Sequence, residues 1–180
     1  MIQRIQSFWL VLAACCIAMC FMFPVAQYQL SIPSTQQTVE ARLDLIAKSN
    51  PDMLVQMQNI EPVVTFSQSD SGFQTWLLIV VAALVGVMTL LCIFMYSNRV
   101  RQMRMVAVAF LLNVAYVFLL FFWAVDAFGK NVVQYFHCGD LQVTWYIGAY
   151  APIVSLVFLI LAHRGIKKDE ATVRAADRLR

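Results

Sequence analysis

The chain has 180 residues, 61% of them hydrophobic and only 13% charged. A soluble domain carries about 25% charge, and a soluble core has no use for four uninterrupted apolar stretches of membrane-crossing length, so a soluble all-helical domain is excluded. The formal charge of +3 comes from 13 Lys and Arg against 10 Asp and Glu, and how those charges are distributed matters more than their sum.

The apolar runs are residues 8–26, 76–96, 105–125 and 143–162. A helix of about 20 residues crosses a hydrocarbon core about 30 Å thick. Lipid offers the backbone no hydrogen bonds, so each run should be helical. The expected fold is all-α: one polytopic membrane domain over 1–180, a four-transmembrane-helix bundle. A long extracytoplasmic loop covers 27–75, and a helical cytoplasmic tail covers 163–180.

Residues 1–6 lead directly into the first run. Its alternatives are a signal peptide, for which Leu12-Ala13-Ala14-Cys15 imitates a lipoprotein cleavage box, and an uncleaved signal-anchor helix. The signal anchor is preferred, because the chain stays apolar from Cys16 to Val25. In the long loop, Val39, Leu43 and Ile46 stand at helical spacing, so residues 37–49 read as a short amphipathic helix ended by Asn50-Pro51. Residues 60–66 read as an extended edge segment broken by Pro62.

The second run carries Ala82 and Gly86, four apart, a small face that lets another helix approach. The turn after it, 97–104, holds Asn98, Arg99, Arg101 and Arg104. The third run carries Asn113, an amide that must face protein or water. A short outer loop follows at 126–142. The fourth run has Gly148 and Pro152 near its start, and the proline should kink it. Ala82, Gly86, Asn113, Gly148 and Pro152 are the expected helix-packing residues.

Taken alternately, the segments split the charge. The N-terminus, the 97–104 turn and the tail share Arg4, Arg99, Arg101, Arg104, Arg164, Lys167, Lys168, Arg174, Arg178 and Arg180. The opposite side keeps Arg42, Lys48 and Lys130, together with Glu40, Asp44, Asp52, Glu61, Asp70, Asp126 and Asp140. Cytoplasmic segments carry the excess of Lys and Arg, which puts both termini inside. Trp9 near the inner end of the first run, and Trp76, Trp123 and Trp145 at the outer ends of the others, fit aromatic belts at the headgroup level. Topology accounts for the basic residues without a nucleic-acid partner.

Little chemistry survives inspection. Cys15, Cys16, Cys20 and Cys92 fall inside the runs, and Cys138 alone cannot close an outer disulfide. His137 and His163 belong to opposite faces, too far apart to ligate one haem iron, and no metal-binding spacing, phosphate loop or nucleophile motif is present. No enzyme activity and no cofactor are expected.

Three stretches carry a resemblance: Met1-Ile2-Gln3-Arg4-Ile5-Gln6, Ile93-Phe94-Met95-Tyr96-Ser97-Asn98-Arg99 with Gln102-Met103-Arg104, and Ile166-Lys167-Lys168-Asp169-Glu170 with the residues from Val173 to Arg180. Together they resemble, along the whole chain, a family of small bacterial inner-membrane proteins known as domain of unknown function 4293. The resemblance implies four spans and an inner-membrane location and supplies no activity. The expected function is therefore a non-catalytic accessory or scaffolding subunit. Besides membrane lipid, its partner would be a protein met through Asn98, Arg99, Arg101, Arg104, Asp169, Glu170, Arg174, Asp177, Arg178 and Arg180. The alternative is a small transporter or channel-like protein with a path between the helices.

Overall fold

Helical spacing of the buried residues shows first on α1, Gln3–Met22, where Gln6, Leu10, Ala13, Ile17 and Cys20 are buried at intervals of four and three. The same interval runs along α2, Trp76–Phe94, through Leu78, Ala82, Val85, Thr89 and Cys92. The opposite side of α2 stays apolar: Val80, Leu84, Val87 and Leu91 are all exposed. A helix apolar all round suits an apolar surrounding, and α2 is long and apolar enough to cross a membrane.

The computed structural model describes residues 3–32, 37–46, 64–66, 76–95, 99–136 and 141–178. The remaining elements are α3 (Arg99–Phe118), one π-helical segment (Leu119–Ala124), α4 (Val125–Phe136) and α5 (Ile147–Arg178), with strands β1 (Ala26–Ile32), β2 (Gln37–Leu43), β3 (Val64–Phe66) and β4 (Leu141–Trp145). Three helices are long and apolar enough to cross a membrane: Trp76–Phe94, Arg99–Gln134 and Ile147–Val173. The apolar part of α1, Gln6–Met22, is shorter.

Helix dominates the fold, as expected of an all-α chain, and the short strands of the connecting segments add one sheet in the order β3-β2-β1-β4. Residues 37–43, expected in a helix, are strand β2, antiparallel to β1 with Ala26 opposite Leu43 and Ile32 opposite Gln37. Val39, Ala41 and Leu43 alternate with Thr38, Glu40 and Arg42, a period of two that fits a strand better than the sparser helical spacing. Residues 64–66 are extended, as β3, and pair with β2 in parallel. The basic turn is shorter than expected: Arg99 to Arg104 already belong to α3. The outer loop also contracts, because the third helix continues as α4 and β4 pairs with β1.

The π segment has a cause in the sequence. Buried positions on α3 step by four and three from Gln102 through Val106, Ala109 and Asn113 to Tyr116, then by four and four to Leu120 and Ala124. Steps of four outrun a period of 3.6, and an i→i+5 turn absorbs the extra residue. The Val125 N–H donates to the Leu120 carbonyl accordingly. Beyond it, Val125, Phe128 and Val132 are buried while Asp126 and Lys130 face solvent.

Two compact units result. One comprises Met1–Met19, Val80–Val117 and Ala151–Arg180. Its core gathers Leu10 and Ala13 of α1, Cys92 of α2, Val106 of α3, and Leu159, Ala162 and Ile166 of α5. Trp9 stacks on Phe158 with ring centres 5.7 Å apart. The other unit comprises Cys20–Ile79 and Phe118–Tyr150. It contains the sheet, α4 and the π segment. There the Val25 N–H donates to the Leu43 carbonyl, the Tyr146 N–H to the Val25 carbonyl and the Gly148 N–H to the Pro24 carbonyl.

Candidate functional site

In the first unit, the residues expected to meet a partner fall on two helices. Arg101 and Arg104 are exposed and Arg99 is half-buried in the first turns of α3. Asp169 and Glu170 are half-buried on α5. The Gln6 amide Nε2 donates to the Asp169 carboxylate, tying α1 to α5. Gly165 makes room for that contact, since a Cβ there would meet Gln6 Cγ at 3.1 Å. Past this point α5 continues, and Ala171, Thr172, Val173 and Ala175 are all exposed. These positions cover three sides of a helix, at 100° per residue. Arg174, Asp177 and Arg178 lie on this part of α5, whereas Asn98 and Arg180 fall outside the described residues.

Asn113 is fully buried, and its Nδ2 donates to the Pro152 carbonyl and to Ser155 Oγ, both at 3.2 Å. Its Oδ1 has no hydrogen-bond partner. Pro152 lies inside α5, which runs through it as one helix. A second buried amide, Gln102, donates from Nε2 to the Cys92 carbonyl at 2.9 Å. It takes up a carbonyl in the last turn of α2, where helices run out of backbone donors. Ala82 is buried, and a Cβ on Gly86 would meet Ile17 at an ordinary 3.6 Å. Asn113→Leu is expected to lower thermal stability only modestly, because such amides contribute about 0.6 kcal/mol within membranes. Thermal unfolding in detergent measures the shift, and a deletion-complementation assay should read unchanged.

The second unit holds a groove that no single segment announces. It has a volume of about 490 Å³ and lies between α4 and the β1–β4 side of the sheet. Tyr28 of β1 opposes Val143 of β4, and Leu30 opposes Leu141. Gly129 lets α4 come close: a Cβ there would meet Leu141 Cδ2 at 3.2 Å and Tyr28 Cε1 at 3.4 Å. The buried Tyr28 hydroxyl donates to the Val125 carbonyl at 2.9 Å. Burial first, and the nearby Asp126 carboxylate second, push the phenol well above its usual range. Tyr28 therefore stays protonated and acts as a fixed donor. Phe121 and Trp145 face each other at 5.1 Å. On the rim, Lys130 Nζ and Asp126 Oδ2 are 2.6 Å apart. Gly148 sits against the backbone of residues 23 and 24, with no room for a side chain.

Length and composition of the three apolar helices place the chain in the class of proteins able to cross a membrane. More specifically, it belongs to the family described as domain of unknown function (DUF4293), which matches residues 2–179. No curated protein and no solved structure matches it.

Proposed function

We propose that the protein is a non-catalytic, four-span accessory subunit of the bacterial inner membrane, with both termini in the cytoplasm. It meets a cytoplasmic protein through the basic start of α3 and the last turns of α5. The observation that carries this reading is α5 itself. Its one face is buried as far as Ile166, then the same helix continues with every described side chain from Ala171 exposed. Isolated short helices are marginal in water, so a helix extended past its own core by a mixture of acids and arginines suits a defined docking surface. Anionic lipid alone would favour basic residues without Asp169, Glu170 and Asp177 among them.

A chain ended after Glu170 keeps Ile166 in the core and the Gln6–Asp169 contact. It should insert and melt like the full chain, yet fail to complement a deletion and fail to retain its partner in mild detergent. Replacing Arg174 and Arg178 by Glu should do the same, and Lys at both positions should be milder. Full complementation by the shortened chain would overturn the proposal. The transporter reading draws on the unpartnered Asn113 Oδ1. It would be favoured if Asn113→Leu abolished function at unchanged stability.

Topology has its own test. Reporter fusions after residues 50, 101, 135 and 180 should read outside, inside, outside and inside. The charge split supports this order. So does the exposed Asp126–Lys130 pair, which suits α4 lying beyond the hydrocarbon on the outer side. A periplasmic signal from the fusion after residue 101 would contradict it.

A further inference from the structure

We infer that the groove between α4 and β4 binds one acyl chain of a zwitterionic phospholipid, whose headgroup lies over the Asp126–Lys130 pair. This goes beyond the partner-binding proposal and uses the other unit of the chain. The groove is lined mainly by carbon, from Tyr28, Phe121, Val133, Leu141, Val143 and Trp145. The Tyr28 hydroxyl is already committed to the Val125 carbonyl, so the floor presents a ring face and no free donor. Such a lining selects an apolar occupant, and its size falls within the range of about 300–1,000 Å³ of small-ligand sites.

The polar lining groups gather on one helix. Asp126, Lys130 and Gln134 are spaced by four on α4, hence on one side of it. Asp126 and Lys130 have 59% and 75% of their side chains exposed. The rim thus offers one charge of each sign and no net field. A net anion or cation would meet repulsion as well as attraction there. A head carrying both a phosphate and an ammonium can set its phosphate on Lys130 and its ammonium on Asp126. The source of such a molecule is written in the adjoining surface. Close to Phe121 of the lining in sequence, Phe118, Phe122 and Trp123 are exposed by 59%, 71% and 40%. Exposed aromatics of this kind mark the lipid headgroup level, so a bilayer phospholipid reaches the groove sideways without crossing water.

The test uses the full chain in mild detergent, titrated in native mass spectrometry with phosphatidylethanolamine, with phosphatidylglycerol of the same acyl chains, and with glycerophosphoethanolamine, the head alone. A single saturable adduct of phosphatidylethanolamine is expected, with weaker phosphatidylglycerol binding and none of the head alone. Val133→Phe fills the groove and should weaken that adduct about tenfold or more, since chain burial supplies the affinity. Asp126→Asn with Lys130→Gln, both on the exposed rim, should erase the preference for the zwitterion while leaving the melting temperature unchanged. Equal binding of both lipids to the unaltered chain, or no saturable adduct, would overturn the proposal. So would an adduct indifferent to Val133→Phe in a variant that melts normally. Binding of the head alone would assign the rim to a soluble phosphate compound instead and would equally overturn it.

Discussion

Gly148→Ala is expected to be among the most damaging single-methyl additions in this chain. A Cβ at this position would lie 2.5 Å from the Pro24 carbonyl oxygen, 2.7 Å from that of Phe23 and 2.9 Å from the Pro24 carbonyl carbon. All three are backbone atoms, so no side chain can swing aside. The Gly148 N–H also donates to the Pro24 carbonyl at 3.1 Å, and the Tyr146 N–H to Val25 at 3.1 Å. Relieving the clash therefore breaks the contacts that hold residues 23–25 against the start of α5. Overpacking costs about 1–3 kcal/mol and occasionally more, and an unyielding backbone puts this case at the upper end. At about 2–4 °C per kcal/mol for a chain of this size, the melting temperature should fall by roughly 6–12 °C. Gly86→Ala is the control. Its Cβ would meet Ile17 Cγ2 at 3.6 Å, and replacing a mid-helix glycine by alanine gains about 0.5–1 kcal/mol. The first variant should melt early and the second should not. If Gly148→Ala melts with the unaltered chain, the close approach of α5 to Pro24 is wrong.

Where a run is long and free of charge, the sequence was easy to read. Residues 76–96 hold no charged residue over a membrane-crossing length, so α2 could be bounded to within a few residues. The loops were harder because two periods competed. Val39, Leu43 and Ile46 suggest a helix, whereas Val39, Ala41 and Leu43 suggest a strand, and pairing with β1 decides for the strand. Such pairing is a tertiary fact that no local window contains. Charge misled in a different way. Asp126 and Lys130 looked like the end of a span, but four residues apart they support a helix, and the helix runs on as α4.

The sites follow the same logic. Asn113 stood out because an amide in an apolar run is conspicuous, but its partner Ser155 was one unremarkable hydroxyl on another helix. Gly148 drew notice as a small residue in a helix, yet the close approach of Pro24 that requires it comes from more than a hundred residues away in sequence. The groove was invisible, since it joins residue 28, residues 121–134 and residues 141–145. A signal was present in the alternation of Leu141, Val143 and Trp145 with Gln142 and Thr144. It gains meaning only once β4 is known to lie beside β1.

Tyr28→Ala carries the second large effect, and Tyr28→Phe separates its parts. Tyr28 is fully buried in the second unit, with its ring 5.2 Å from that of Phe128. Truncating a buried aromatic to alanine costs about 3–5 kcal/mol. It would also remove the floor of the groove, so the lipid adduct should disappear with the stability. Tyr28→Phe keeps the ring and loses only the hydrogen bond to the Val125 carbonyl, worth about 1 kcal/mol. The two variants also differ in how they respond to alkali. An unfolded tyrosine titrates near pH ~10, while in the folded chain burial and then Asp126 raise the Tyr28 phenol above that. The folded state thus favours the protonated form. Its stabilising contribution is complete below pH ~10 and is lost as pH rises further. Phenylalanine has no proton to lose. The stability advantage of the unaltered chain over Tyr28→Phe should stay constant from neutral pH to about pH 9. Above pH ~10 it should shrink, because the unfolded chain ionises at this position while the folded chain holds its proton, and that difference works against folding only in the chain that has the phenol. The net sign follows from the proton count: the unfolded state binds fewer protons, so stability of the unaltered chain falls with pH and the gap to Tyr28→Phe must close rather than widen. Denaturant melts of both proteins at steps across pH ~8 to ~11 measure this directly. A gap that stays constant through the whole range would mean that Tyr28 is not the buried donor to Val125.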